Sequence, residues 1–347
     1  MIIRPGLILK LVLAMTWTIG VMSVAQGGGA AAPYPRSDVI ADVEWEPKSE
    51  IVRKACKSDN WPCTWTDDDS IYTAGGDGGG FGGKRSSLWV CRVQGDPPAI
   101  SGRNLVSLAS GDGSGGEKAS SLLMVDGVLY MWVRNADKRG KHCQLAWSAD
   151  RGQTWAWASW KFEEFGYCTF INYGKNYAGA RDGYVYTVTP DNPSAYTSTT
   201  KDMILMRVPK ELVTKRSAYK FFTGMSGGTP QWSSNVDDRR SVFTYVGTSH
   251  TTCRTGISYN SGLGRYLWWQ QLAEHGIDTR RSGGFGIYDA PEPWGPWTTV
   301  YYTQSWDVGP GETGNFPTKW MSTNGKSCYF EYEYKTNKEF MFCEAKT

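Results

Sequence analysis

Beyond Val43 the apolar residues come in short runs broken by Gly, Asp, Asn or Pro, and no long stretch keeps a helical period. Five segments read as a strand, a polar turn and a second strand: 64–77, 121–135, 175–189, 257–271 and 319–334. Most of these strands are rich in Tyr, Trp or Val, which fit a pleated, half-buried surface. Tyr72, Tyr130, Tyr186, Tyr266 and Tyr329 mark the segments at steps of 58, 56, 80 and 63 residues. Five loose repeats of that size predict an all-β, single-domain, five-bladed β-propeller over 43–347. A β-sandwich is the alternative. The single helical hint, 208–222, predicts one or two turns linking blades.

Residues 148–155, SADRGQTW, fit the S-x-D-x-G-x-x-W "Asp box" known from sialidase-like and other glycan-active propellers. Here Ser148 and Asp150 are expected to bond turn backbone, with Gly152 at positive φ and Trp155 packed beneath. The box is read as structural, because its aspartate is spent on its own loop.

Ahead of the repeats, 1–25 reads as a secretory signal peptide. Arg4 and Lys10 precede the apolar run LVLAMTWTIGVMSVA, and small Ser23 and Ala25 precede a cut. A flexible linker, 26–42, follows. The expectation is a secreted or periplasmic monomer with no stable membrane insertion after cleavage. Losing Arg4 and Lys10 takes the formal charge from +3 to +1, which leaves no electrostatic footprint for nucleic acid. Eight cysteines, all beyond the leader, favour disulfides; Cys56–Cys63 and Cys328–Cys343 are the candidate clips. Three histidines and no C-x-x-C speak against zinc, so no metal and no cofactor is expected.

Composition then points to sugars. Of the 17 Trp, 19 Tyr and 12 Phe many must be core, and the excess of Trp also suits stacking on the apolar faces of sugars. Stretch 58–81, SDNWPCTWTDDDSIYTAGGDGGGF, sets Asp59 and Asp77 among aromatics and bare glycine backbone, while 67–69 read as turn acids. Residues 78–84 mimic G-x-x-x-x-G-K, but Arg85 stands where Ser or Thr belongs and no helix opens, so a phosphate loop is rejected. The glycines instead suggest close backbone approach to a ligand. No histidine sits beside a nucleophile elbow, so a hydrolase here works with carboxylates. Two suffice for a glycosidic bond: one protonates the leaving oxygen, the other activates water or attacks.

Asp77 is taken as general acid and Asp59 as general base, with the reverse order open. Candidate substrate contacts are Trp61, Trp65, Lys118, Arg134, Arg181, Asp182, His250, Glu292, Trp294, Glu312 and Lys319. Several carry a bland alternative: Asp182 a hairpin turn, Glu292 a rigid corner between prolines, Glu312 a turn acid, and the basic residues a solvated surface.

Taken together, SDNWPCTWTDDDSIYTAGGDGGGF, DGVLYMWVRN, LAWSADRGQTW, NYGKNYAGARDGYVY, GGFGIYDAPEPWGPWTTV and NFPTKWMS resemble a family of bacterial exported propellers long filed as a domain of unknown function. That family includes endo-acting D-arabinofuranosidases that cleave mycobacterial arabinan. The resemblance implies a five-bladed propeller and inversion by an aspartate pair, matched here by Asp59 and by Asp77 of Gly76-Asp77. Gly78 stands where the family usually has Thr. The reading is therefore a secreted glycoside hydrolase, inverting and endo-acting, that works on a polysaccharide with an aspartate pair, arabinofuranosyl linkages being the candidate bonds. The alternatives are a polysaccharide lyase using Tyr, Arg or His, and a non-catalytic glycan-binding propeller stacking sugars on Trp61, Trp65, Trp132, Trp268 and Trp294.

Overall fold

The strand-turn-strand segments each find a place in a separate sheet of the computed structural model, which describes residues 2–8, 32–55, 58–111, 115–198, 200–244, 251–272, 284–305, 313–336 and 339–342. Among them the strands form five antiparallel sheets, the blades of an all-β propeller. Blade 1 runs outward through Cys63–Trp65, Ile71–Gly75, Leu88–Gln94 and Ser101–Ala109. Blade 2 runs through Lys118–Val125, Val128–Arg134, Cys143–Ser148 and Ala156–Phe162. Blade 3 begins with Thr169–Phe170 and Tyr184–Pro190, and blade 4 is built on Thr251–Asn260, Arg265–Leu272, Gly284–Ala290 and Thr298–Thr303. Blade 5 pairs Gly314–Asn315 and Ser327–Thr336 with Ile2–Ile8 and Glu44–Trp45. Its sheet thus joins the two ends of the described chain, and Ile2–Ile8 lies within the expected leader.

Burial explains the hydropathy pattern. Inner strand Lys118–Val125 is covered on both faces and buried at every position, so it reads as a continuous run. The outer strand Ser101–Ala109 has no fully buried residue. The helical hint resolves into two 3₁₀ turns, Lys210–Leu212 and Arg216–Ala218, which join two strands of blade 3 instead of linking blades. Residues 175–177 and 318–320 are likewise 3₁₀ turns, so segments 175–189 and 319–334 each supply one strand of their expected two. The Asp box closes as expected. Ser148 Oγ donates to Asp150 at 2.7 Å and accepts from the Gly152 amide at 2.7 Å, with φ +83° at Gly152.

Neighbouring blades do not share a ladder, and side chains stitch them together. Thr64 Oγ1 of blade 1 accepts from the Met124 amide of blade 2, and Ser121 Oγ of blade 2 accepts from the Phe170 amide of blade 3. Asn172 and Tyr259 link blades 3 and 4 through backbone, and Ser258 Oγ of blade 4 donates to the Phe316 carbonyl of blade 5. Aromatics fill the wedges between: Phe243 stacks on Trp268 at 4.6 Å, and Trp132 on Phe170 at 5.5 Å. Trp132 and Trp268 are wholly buried, so the expectation that they stack sugars is wrong for both.

Two further expectations fail. Cys63 and Cys328 are free, buried thiols, so neither candidate clip forms; Cys56 and Cys343 lie outside the described residues. Cys63 instead lies beside Glu331, a carboxylic acid 1 % exposed whose oxygens reach no full hydrogen-bond partner. Burial pushes the Glu331 carboxyl up from 4.5 to about 8. A raised folded-state pKa gives stability that is whole below pH 4.5 and lost as pH rises to about 8, because the unfolded chain ionises first. Glu331→Gln should therefore raise the melting temperature strongly at pH 8, by a few kcal/mol of stability, and little at pH 4.5. Thermal melts at both pH values check this; an equal shift at both contradicts it.

Candidate functional site at the axial mouth

Each inner strand begins at one face of the ring and ends at the other. Asp59 lies just ahead of Cys63–Trp65, and its amide and carbonyl exchange hydrogen bonds with Gly76 at 2.7 and 2.6 Å. Asp77 is the next residue, so Asp59 and Asp77 are close neighbours along the backbone of this blade. Asp77 takes φ 47° and Asn60 φ 49°, left-handed values that few non-glycine residues adopt and that concentrate at functional sites. The preceding glycines have structural reasons. A Cβ on Gly76 would come within 2.6 Å of Asp59 Oδ1, and one on Gly75 within 2.8 Å of the Trp61 ring.

Asp77 Oδ1 lies 2.8 Å from Nζ of Lys118, the first residue of the inner strand of blade 2, with that side chain 3 % exposed. Across the ladder from Lys118 is Arg134, 1 % exposed, which donates to the Ala195 carbonyl at 2.9 Å. Its guanidinium faces the rings of Tyr167 and Tyr196 at 5.4 and 5.2 Å, within cation–π range. Tyr167 in turn donates to Asn60 Oδ1 at 3.4 Å, and Asn60 Nδ2 donates to Asp59 Oδ1 at 3.1 Å. A chain of contacts therefore runs from Arg134 to one oxygen of Asp59 and fixes its orientation. Burial raises the Tyr196 phenol, which also senses Arg134, Asp77 and Arg254. Arg254, on the inner strand of blade 4, is itself buried.

The mouth thus gathers two carboxylates, three cations and two phenols, with Asp59, Lys118, Arg134, Tyr167 and Arg254 buried and Asp77 and Tyr196 partly exposed. Such a group can exchange protons and hold a polar ligand. Among the described residues, no group of three or more His, Cys, Asp or Glu side chains is placed to hold a metal.

Of the candidates named from sequence, the structure brings together Asp59, Asp77, Lys118 and Arg134. Trp61 is 1 % exposed, under Gly75 and against Phe81, so it is a core ring and not a sugar platform. Trp65 and Lys319 lie at the opposite face, where the inner strands end. There Asp69 is bonded by Lys319, Lys175 and the Trp65 indole, which hold its carboxyl down to about 2. Arg181, Asp182, Glu292 and Trp294 sit on that far face too. Arg181 grips Glu292 by two 2.8 Å bonds across the seam of blades 3 and 4, and Asp182 closes its own turn on the Tyr184 amide. His250 and Glu312 lie outside the described residues. The glycine loop 78–84 folds onto its own blade, with the Gly80 amide on Ser58 and Asn104 bonding Gly79 and Phe81. Its glycines admit Asn104 and Trp89, so clearance for a ligand is not needed to explain them.

Sequence reading missed Asn60, Tyr167, Tyr196 and Arg254. Asn60 lay beside Asp59 in the singled-out stretch, while the other three sit in segments with no motif of their own.

No model of a known protein family matches the chain, and no curated protein matches it in sequence. Among solved structures it is similar to the GH43_1 enzyme from Xanthomonas citri, at 10 % identity and TM-score 0.45 over 84 % of this chain and 91 % of that one. It is similar to RS223-β-xylosidase at 8 % identity and TM-score 0.45, covering 84 % and 97 % of the two chains. The Trypanosoma rangeli sialidase in complex with the inhibitor DANA matches at 11 % identity and TM-score 0.46, over 85 % of this chain and 47 % of that one. Nothing about reaction or substrate passes to this chain at such identities and scores.

The Lys118–Asp77 pair sets a stability prediction. Lys118→Met should destabilise the protein, because it removes the buried ammonium that lies 2.8 Å from the Asp77 carboxylate. The double variant with Asp77→Asn should lose less than the two single losses combined. Denaturant melts of the four proteins measure the coupling, and strict additivity would refute it.

Proposed function

We propose that this protein is a glycoside hydrolase whose reaction uses Asp59 and Asp77 at the axial mouth. The observation that carries the reading is the pairing of Asp59 with Gly76, which makes Asp59 and Asp77 close neighbours along the backbone of blade 1, with Asp77 met by the buried Lys118 ammonium. One carboxyl protonates the departing glycosidic oxygen and the other activates water on the opposite face of the sugar, the inverting arrangement. Lys118 holds Asp77, while Asn60 and Tyr167 hold Asp59, so both would meet substrate already oriented. The motif resemblance makes an arabinofuranosyl polysaccharide, cleaved within the chain, the first substrate to test.

A polysaccharide lyase is the second reading, favoured by the phenols and arginines at the mouth. Hydrolysis is preferred because the mouth holds the aspartate pair that the motif resemblance singles out.

Asp59→Asn and Asp77→Asn should each lower turnover by several orders of magnitude, with circular dichroism showing the fold retained. The assay is arabinan hydrolysis alongside a panel of other polysaccharides, with product anomers followed by proton NMR. Near-normal turnover in both variants would remove the pair from the mechanism, and an unsaturated product absorbing in the ultraviolet would establish the lyase instead. Aryl glycosides with a good leaving group assign the roles, because loss of the general acid is the milder defect on them.

Export with removal of residues 1–25 belongs to the same proposal, and it would take strand Ile2–Ile8 out of blade 5. N-terminal sequencing of protein recovered outside the cytoplasm should begin near Gln26. A product that starts at Met1 would refute the cleavage and leave that strand in the blade.

A further inference from the structure

On the far face, a groove of about 940 Å³ runs along the seam of blades 1 and 2. One wall is the outer strand Ser101–Ala109 of blade 1, and the other is the Asp-box turn of blade 2. Its volume is at the upper end for small-ligand sites.

The charges in the groove are unequally committed. Asp67 accepts two bonds from Arg151, at 3.1 and 3.0 Å, and Asp68 pairs with Arg92 at 2.8 Å while also accepting from Thr66 and the Ser70 amide. Asp150 is spent inside its own turn on Gln153 and Thr154. Each acid therefore has its hydrogen bonds filled from within the fold. Arg103 differs. It is exposed, stands directly across the ladder from Arg92, and makes no hydrogen bond or ion pair among the described residues. The groove's uncommitted charged group is a guanidinium.

We infer that this groove binds a carboxylated saccharide, with Arg103 gripping the carboxylate. A guanidinium fork matches a carboxylate with two parallel bonds and an opposite charge, an ion pair that a neutral sugar cannot form. A bare inorganic anion would leave most of the groove unfilled. Leu105 and Val106 on the same wall give the CH face of a sugar ring an apolar surface, next to the polar groups that meet its hydroxyls. Because the groove and the axial mouth open on opposite faces, this binding is independent of the hydrolase reading.

The test is calorimetric titration of the full-length protein with tri-galacturonate, using xylotriose as the neutral control. Tri-galacturonate should bind, more weakly as salt rises. Arg103→Ala should lower its affinity roughly tenfold, the loss expected from about 1.4 kcal/mol, and Arg103→Lys should recover part of that. Xylotriose should bind no better to the native protein than to Arg103→Ala. Asp77→Asn should leave tri-galacturonate binding unchanged, and binding lost in that variant but kept in Arg103→Ala would move the site to the mouth and overturn the inference. Equal affinity in native protein and Arg103→Ala, no binding of tri-galacturonate, or full displacement by inorganic phosphate at equal concentration would each overturn it too.

Discussion

The inner strands of this ring belong to different sheets, so no backbone ladder runs around the axis. What joins one blade to the next is a set of short side chains that bond neighbouring backbone, Thr64 to blade 2, Ser121 to blade 3 and Ser258 to blade 5, with a backbone bridge at Asn172 between blades 3 and 4. Each of these hydroxyls is buried, and a buried polar group left unpaired costs about 1–3 kcal/mol. The stitching therefore fixes the vertical register of each blade against the next. Asp59, Asp77 and Lys118 depend on it, because Lys118 comes from blade 2 and meets Asp77 of blade 1 only when the two blades are level. Aromatic wedges such as Phe243 on Trp268 supply the apolar burial that holds the blades together.

The two faces of the ring use charge differently. At the mouth Asp59, Lys118, Arg134 and Arg254 are all buried, in a setting where each interaction is strong and each loss is severe. On the far face, ion pairs cross the seams in half-exposed positions: Asp67–Arg151 between blades 1 and 2, Asp126–Lys210 between 2 and 3, and Arg181–Glu292 between 3 and 4. Such pairs are each worth about 0–1 kcal/mol. They serve to keep carboxylates and cations satisfied at the seams more than to supply stability. The acids of 67–69 do more than turn the chain, since Asp69 also draws Lys175 and Lys319 to the end of the axis.

Much of the fold was legible because its signals are local. Alternation within strands, turn residues and the S-x-D-x-G-x-x-W box each depend on a few neighbouring residues, and all five marked segments fall in separate blades. Failures came where the signal was compositional. A Trp in the sequence gives no hint of whether it faces solvent or a neighbouring blade; Trp61, Trp132 and Trp268 proved to be core. Cysteine parity suggested clips, yet Cys63 and Cys328 are buried thiols facing their own packing. The glycines around Asp77 looked like space for a ligand and are instead filled by Trp61, Asp59 and Asn104.

By itself the sequence determined the class of fold, its five repeats and the turn chemistry. These are short-range properties, set by which backbone angles and which face each residue tolerates. Only the tertiary structure decided which distant side chains share a space. Antiparallel strands send alternate turns to opposite ends of the ring, so Arg181, Asp182 and Glu292 went to the far face, while Arg134, Tyr167, Tyr196 and Arg254 gathered at the mouth. That sorting depends on how many strands separate a residue from the axis and on the level of each blade, and no local pattern of residues carries either.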